Sequence, residues 1–106
     1  MQTMIYMTAK NGEYDAKANY IDGLVVVKAD SRIRLNFAAH IRGGKKALSY
    51  RNDRAYVDDK GIVLKDCTFT SASTAAQFVT GRSINGLEHW RVIDSKEKLK
   101  DFLSSH

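Results

Sequence analysis

The chain of 106 residues has the length of one domain, and its 43% hydrophobic and 27% charged residues exclude a disordered polypeptide. Its 17 basic and 12 acidic residues give a net charge of +5, which favours acidic partners. No apolar run reaches the roughly 18 residues of a membrane span, and Lys10 interrupts the apolar start too early for a signal peptide, so we expect no membrane partner. A single cysteine excludes an internal disulfide and favours a cytoplasmic location.

A β-hairpin is the first clear element. Residues 1–12 form a leader that could supply an extra strand, and residues 13–103 are expected to form a single domain. Strict alternation of apolar side chains from residue 13 predicts a strand, and Asp22-Gly23 is typical of a two-residue hairpin turn. Such a turn places Tyr20 opposite Val25 and Ala18 opposite Val27.

The same register creates one unfavourable pair on the other face of the hairpin. It places Lys17 opposite Lys28, and like charges in that position repel each other. We expect Asp15 and Asp30 to offset this repulsion, although a bound anion would do the same.

The middle of the chain gives a less certain pattern. Residues 32–42 suit a strand or a helix equally well. Residues 45–57 predict a helix, and residues 61–69 predict one or two short strands. The predicted helix has one face with apolar residues and one arginine, which are Ala47, Leu48, Arg51 and Ala55.

The last third predicts a capped helix followed by a turn. Ser71 or Ser73 can cap its start, alanines with helical spacing follow, and Gly81 is a suitable stop.

Asn85-Gly86 predicts a turn, and residues 89–93 could form a strand. Asp94 and Glu97 predict the start of a final helix. That helix should bury Leu99, Phe102 and Leu103. These elements predict an α+β fold, with a small antiparallel sheet, including an N-terminal hairpin, packed by two or three helices.

The basic residues are concentrated in residues 32–54. This segment has seven basic residues and one acidic residue, Asp53, so its local charge is +6. Such a run is either a solvated helix face or a surface that contacts phosphates. Tyr50 and Tyr56 lie within or beside it, and they could stack on unpaired bases or belong to the core.

Templates for catalysis are absent from the sequence. Gly44-Lys45 suggests a phosphate loop, but Ala39 occupies the required upstream glycine position. Asp58 and Asp59 could hold a magnesium ion, although a solvated loop is the favoured interpretation. Cys67 lies in a predicted strand and is interpreted as a small buried hydrophobe. We therefore expect no enzymatic activity, no cofactor and no metal.

Residues 69–90, with the sequence FTSASTAAQFVTGRSINGLEHW, resemble the bacterial family called domain of unknown function 4357. The pattern of that family contains Ser-Pro-Ser, two alanines, Gly-Arg-Ser, Asn-Gly and two tryptophans. Ala72 stands at the usual proline and Leu87 at the first tryptophan, while Trp90 matches the second. The looser resemblance extends over about residues 13–103.

The resemblance implies a function in DNA binding. The family is often appended to GIY-YIG-type nucleases and restriction-modification proteins. It is also similar to the restriction-enzyme adenine-methylase-associated domain, for which recognition of methylated DNA is proposed. We therefore expect a non-catalytic module that binds DNA, including modified DNA, and that could work with a separately encoded nuclease or methylase. The alternatives are a protein-interaction module that docks such an enzyme and, least favoured, a divergent hydrolase that uses Asp58 and Asp59.

The motif itself has two interpretations. Its alanines, glycines and Trp90 are typical of a scaffold, whereas its polar residues need no such placement. A helix start with two hydroxyls can bind an anion, and an arginine can reach a phosphate or a guanine edge. The candidate nucleic-acid-binding residues are Arg82, Ser71, Ser73, Ser83, Asn85, Arg42, Lys45, Lys46, Arg51 and Arg54.

Overall fold

The computed structural model describes residues 2–37 and 45–105, and these form an α+β fold. A five-stranded antiparallel sheet has the strand order β4-β3-β2-β1-β5. In chain order the elements are β1 (Gln2–Thr8), β2 (Asp15–Ile21), β3 (Leu24–Val27), α1 (Lys45–Arg51), β4 (Cys67–Phe69), α2 (Ala72–Thr80), α3 (Gly86–His89), β5 (Arg91–Val92) and α4 (Leu99–Ser105). The described part thus has four helices, where the sequence predicts two or three, and the leader contains strand β1.

The hairpin of β2 and β3 has the predicted register. Ala18 lies opposite Val27 and Tyr20 opposite Val25. The turn residues Asp22 and Gly23 have φ angles of 48° and 94°, the left-handed conformation that this turn requires.

The prediction that Asp15 and Asp30 are the partners of the lysine pair in this hairpin is wrong. Lys28 Nζ lies 2.7 Å from Asp66 Oδ2, in the segment that leads into β4. Neither Asp15 nor Asp30 forms an ion pair with it among the described residues. A carboxylate that is distant in sequence is the partner because β4 pairs with β3 and places Asp66 beside Lys28.

One face of the sheet carries the core. Directly paired residues such as Ile5 and Ala18, or Val25 and Phe69, are all fully buried. Helix α2 packs on β3 and β4, and α1 and α3 pack on α2. The largest fully buried side chains are Trp90, Phe69 and Phe78. None of the helices in the described ranges is long and apolar enough to cross a membrane.

Three predicted boundaries differ from the structure because side chains and turns compete with the helical backbone. Helix α1 ends at Arg51 rather than at residue 57, since the carboxylate of Asp53 accepts a hydrogen bond from Ala55 N and forms a turn. Asn85 caps the single-turn helix α3 rather than forming a simple turn with Gly86. Lys96, whose φ is 63°, follows a turn at residues 93–95 that precedes α4.

The predicted start of the last helix at Asp94 and Glu97 is therefore wrong. Glu97 O accepts a hydrogen bond from Val92 N, and Leu99 N donates to Trp90 O, so this segment is tied to the end of β5. Helix α4 begins only at Leu99, which is fully buried, as predicted. Phe102 and Leu103 pack partly buried against the core.

The ambiguous stretch of residues 32–42 is described up to residue 37. There it contains one isolated bridge residue, Arg32, which pairs with Asp15 and Ile62. Arg42, one of the candidate binding residues, lies outside the described residues.

Candidate nucleic-acid interface

Most polar residues of the motif in residues 69–90 form hydrogen bonds within the chain. Ser71 is the N-cap of α2, and its Oγ accepts a hydrogen bond from Thr74 N at 3.1 Å. Ser73 Oγ accepts from Gly86 N at 3.0 Å, which ties α2 to the start of α3. Asn85 Oδ1 accepts from Leu87 N at 3.0 Å. The Ser71 hydroxyl, a candidate anion-binding group in the sequence, therefore already accepts a hydrogen bond from a backbone N–H in the first turn of α2.

The glycines and the tryptophan of the motif bring α2 and α3 together. Trp90 is fully buried, and its Nε1 donates a hydrogen bond to Ala72 O at 3.0 Å. A Cβ atom on Gly86 would collide with the same carbonyl group. Gly81 ends α2 with a φ of 68°, and a Cβ there would collide with Asn36 O. The geometry supports the scaffold interpretation for these residues.

Among the candidate binding residues of the motif, Arg82 and Ser83 are exposed and form no side-chain hydrogen bond of this kind with the described residues. The Arg82 side chain is 53% exposed, and its Nη2 lies 3.6 Å from Glu13 Oε2. The same carboxylate oxygen lies 3.0 Å from Arg34 Nε. Glu13 thus pairs with two arginines, one of which belongs to the motif.

Arg51 does not belong to an exposed surface. It is only 8% exposed, because it lies on the same face of α1 as the buried Ala47. Its Nε donates a hydrogen bond to Phe78 O at 3.0 Å, and its guanidinium lies 4.9 Å from the centre of the Phe37 ring. Burial, with the nearby charge of Arg34, lowers the pKa of Arg51 to about 10. The residue is therefore unsuited to solvent-exposed contact with DNA.

Two lysines and two tyrosines form what we call the tyrosine–lysine surface, which consists of Lys46, Tyr50, Tyr56 and Lys65. The tyrosine rings are in edge-to-face contact, with centroids 5.0 Å apart. Lys46 Nζ lies 5.0 Å from the centre of the Tyr50 ring, and Lys65 Nζ lies 5.7 Å from that of Tyr56. Tyr50 also accepts a hydrogen bond on its hydroxyl from Thr68 N, which fixes the surface to β4.

The tyrosines of this surface position the lysines. Both rings are half-buried, and Tyr50 also packs on Phe69 and Phe78. The structure thus supports the interpretation of both tyrosines as part of the core. A lysine ammonium group lies over each ring, in the position that a stacked base would occupy. Cation–π attraction restricts the positions of the two lysines.

The lysines of this surface differ in their ion pairing from the lysines near β5. Among the described residues, neither Lys46 nor Lys65 has a carboxylate within ion-pair distance. Lys98 and Lys100, by contrast, both pair with Glu88, at 3.3 and 2.9 Å. These pairs lower the pKa of Glu88, mainly through the hydrogen bond from Lys100.

The sequence selected one lysine of this surface and missed the other. Lys45 and Lys46, at the start of α1, are exposed as a phosphate-binding role requires, and so is Arg54 after the helix. Lys65 lies outside the basic run of residues 32–54, and only the tertiary contact of the two tyrosines brings it near Lys46. The sequence feature that indicates this surface is the interleaving of Tyr50 and Tyr56 with basic residues.

Two further candidates for chemistry, Asp58 and Cys67, have structural roles, whereas Asp59 is exposed. Asp58 Oδ1 accepts hydrogen bonds from Lys60 N and Ile62 N, both at 2.9 Å, so this carboxylate stabilises its own turn. Cys67 is fully buried in β4, as predicted. Burial, together with the charge of Asp66, raises the pKa of its thiol to about 12, and such a thiol is a poor nucleophile at neutral pH.

The comparison with known proteins identifies a family. The model of the family described as Domain of unknown function (DUF4357) matches residues 5–102. No curated protein and no solved structure matches the chain. Because the match covers nearly the whole sequence, the chain belongs to the DUF4357 family.

Proposed function

We propose that this chain is a non-catalytic DNA-binding module whose tyrosine–lysine surface contacts the phosphate backbone. The observation that carries the proposal is the pair of exposed ammonium groups, Lys46 and Lys65, which the tyrosines hold in place and which have no carboxylate partner among the described residues. Exposed Lys45 adds a third positive charge at the start of α1.

The electrostatics of this surface favour phosphate binding. A lysine that already has a carboxylate partner must give it up to bind a phosphate, whereas Lys46 and Lys65 gain a partner. Each phosphate that they neutralise releases condensed counterions from DNA. Because the tyrosine rings restrict both side chains before binding, less conformational entropy is lost in the complex.

In this proposal, Arg82 is the residue that recognises the DNA sequence or its modification. Its exposed guanidinium can donate two hydrogen bonds to a guanine edge or contact a phosphate once it leaves Glu13. Exposed Ser83 lies beside it. The acceptor oxygens of Ser71, Ser73 and Asn85 are used within the chain, so we assign them no base contact.

The motif of residues 69–90 also supports a cellular context. Its resemblance to domains appended to GIY-YIG-type nucleases and restriction-modification proteins favours a cytoplasmic role in DNA restriction or modification. In that role the chain would bind DNA beside a separately encoded nuclease or methylase.

Replacing both lysines tests the proposal. Lys46→Ala with Lys65→Ala should weaken binding to every duplex by about tenfold or more at low salt. The slope of log affinity against log salt should become shallower by about 0.9 for each phosphate that the double variant no longer neutralises. Fluorescence anisotropy of a labelled duplex measures both quantities, and circular dichroism verifies the fold.

The matched control is Lys98→Ala with Lys100→Ala. It changes the net charge equally, but near β5, whereas the tyrosine–lysine surface adjoins β4 at the opposite edge of the sheet. We expect the control to bind nearly as the parent does. Equal weakening in both double variants would mean that only net charge matters, and the proposed surface would then be wrong.

A second candidate function is docking of a protein partner. It is favoured by Leu35 and Leu48, which are 65% and 41% exposed and line the same cavity. Leu35→Ser with Leu48→Ser should then abolish docking while leaving DNA binding intact. A parent protein that binds no DNA at low salt would favour this candidate over the first.

A further inference from the structure

A cavity of about 330 Å³ lies between the C-terminal end of α1 and the segments on either side of it. Three arginines line it, namely Arg34, Arg51 and Arg54. Its walls include apolar side chains such as Leu35 and Phe37. This volume lies in the range of small-molecule sites. Neither Lys46 nor Lys65 lines it, so the cavity is distinct from the tyrosine–lysine surface.

Arg51 is the most buried charged residue of this cavity, and one of its donor atoms has no partner among the described residues. Its Nε donates to Phe78 O, and its Nη1 lies 3.5 Å from Leu35 O. Its Nη2 is buried and forms no hydrogen bond with any of the described residues. A buried guanidinium is stable only if its donors and its charge are compensated.

The protein supplies little negative charge to compensate Arg51. No carboxylate of the described residues forms an ion pair with it. Residues 38–44, with the sequence AAHIRGG, contain no acidic side chain. Burial and the like charge of Arg34 lower the pKa of Arg51, as expected for a cation without a counterion.

The other charges around the cavity leave room for an anion. Arg54 donates to Val57 O at 3.4 Å and has no carboxylate partner among the described residues. Asp58 and Asp59 also line the cavity, but the Asp58 carboxylate is held by two backbone N–H groups of its own turn. Asp59 is exposed, where water screens its charge.

We propose that this cavity binds a phosphoryl group, whose oxygens accept hydrogen bonds from the guanidinium groups of Arg51 and Arg54. Guanidinium groups match the geometry of phosphate oxygens and bind them by paired donors. The apolar walls provide space for the organic part of a phosphomonoester up to the size of a nucleotide. This inference does not depend on the proposed DNA contact of the tyrosine–lysine surface.

Thermal unfolding of the full chain tests the site with three probes, which are inorganic phosphate, adenosine 5′-monophosphate and adenosine. At constant ionic strength, with chloride as the reference, phosphate and the monophosphate should raise Tm increasingly with concentration. Adenosine should leave Tm unchanged. The proposal is overturned if phosphate gives the same Tm as chloride, or if adenosine stabilises as much as its monophosphate.

Amino-acid substitutions test whether the shift in Tm arises from binding in the cavity. Arg54→Ala replaces an exposed residue and should weaken phosphate binding about tenfold, the reduction expected on removing a charge-assisted hydrogen bond. Arg51→Lys keeps the charge of a buried residue but removes the planar set of donors, and it should weaken binding as well. Lys98→Ala with Lys100→Ala, neither of which lines the cavity, should retain the full Tm shift. An unchanged shift in Arg54→Ala and Arg51→Lys would refute the site, whatever the DNA experiments show.

A competition experiment distinguishes two sources of the phosphoryl group. If a duplex with a 5′-phosphate displaces the monophosphate and the same duplex without it does not, the ligand is a DNA end. If neither duplex displaces it, the ligand is a free phosphomonoester. Both results support the cavity, whereas equal displacement by the two duplexes contradicts a site for a phosphomonoester.

Discussion

Ser73 illustrates how single polar residues of the motif serve the fold. Its hydroxyl accepts the hydrogen bond from Gly86 N, at a point where a Cβ on Gly86 would collide with Ala72. The two helices approach so closely that a backbone N–H must find its partner in a side chain. Ser83, three residues after the last residue of α2, is exposed instead.

We predict different stabilities for the two serine variants. Ser73→Ala leaves Gly86 N without its acceptor in a partly buried position and should lower the free energy of unfolding by about 1–3 kcal/mol. Ser83→Ala should change it by less than about 0.5 kcal/mol. Urea denaturation measures both. Equal stability of the two variants would mean that the hydrogen bond of Ser73 contributes nothing to the fold.

The contrast between Arg51 and Lys65 shows which part of the site the sequence could not predict. A count of charges treats every arginine of the basic run alike, although helical spacing already placed Arg51 on one face with Ala47. Lys65 is far from Lys46 in sequence, and its place depends on the packing of Tyr50 on Tyr56. Local patterns do not encode such contacts between distant residues.

Among the elements, helix α2 follows its sequence signals most closely. Ser71 caps it, Gly81 ends it, and its alanines are buried as their spacing predicts. The hairpin of β2 and β3 was also predictable, because the turn residues and the alternation agree on one register. Helix α4 was misplaced because the turn before it depends on hydrogen bonds to β5, which lie outside any local pattern.

The start of α2 explains the position where this chain departs from the family pattern. Ala72 occupies the first position of the helix, where proline is favoured because its missing N–H would have no helical partner. The preceding Ser71 has φ −148° and ψ 153°, the extended conformation that a residue before proline prefers. The usual proline of the family therefore fits the backbone of this chain.

We predict that Ala72→Pro is tolerated and raises the free energy of unfolding by about 0.4–1 kcal/mol, since proline restricts the unfolded chain. Ala75→Pro, inside the same helix, is the control and should destabilise by about 3 kcal/mol or more. Thermal and urea denaturation compare the two. Similar losses in both variants would show that position 72 is not the first residue of the helix.

At the scale of the whole molecule, the distribution of charge matters more than its total. Near β5, Lys98 and Lys100 share Glu88 as an ion-pair partner, whereas near β4 the lysines of the tyrosine–lysine surface have no such partner among the described residues. β4 and β5 are the two edges of the sheet. Because the net charge of +5 is unevenly compensated by ion pairs, we expect the β4 edge to attract polyanions more strongly than the β5 edge.

The salt dependence of DNA binding by the parent protein tests this account most directly. Fluorescence anisotropy of a labelled duplex, titrated at several salt concentrations, gives the slope of log affinity against log salt. Contacts from Lys46 and Lys65 alone predict a slope of about −1.8, and further contacts make it steeper. Measurable binding at low salt that weakens along such a slope is the predicted result. Absence of binding at low salt, or an affinity that does not change with salt, would contradict the account.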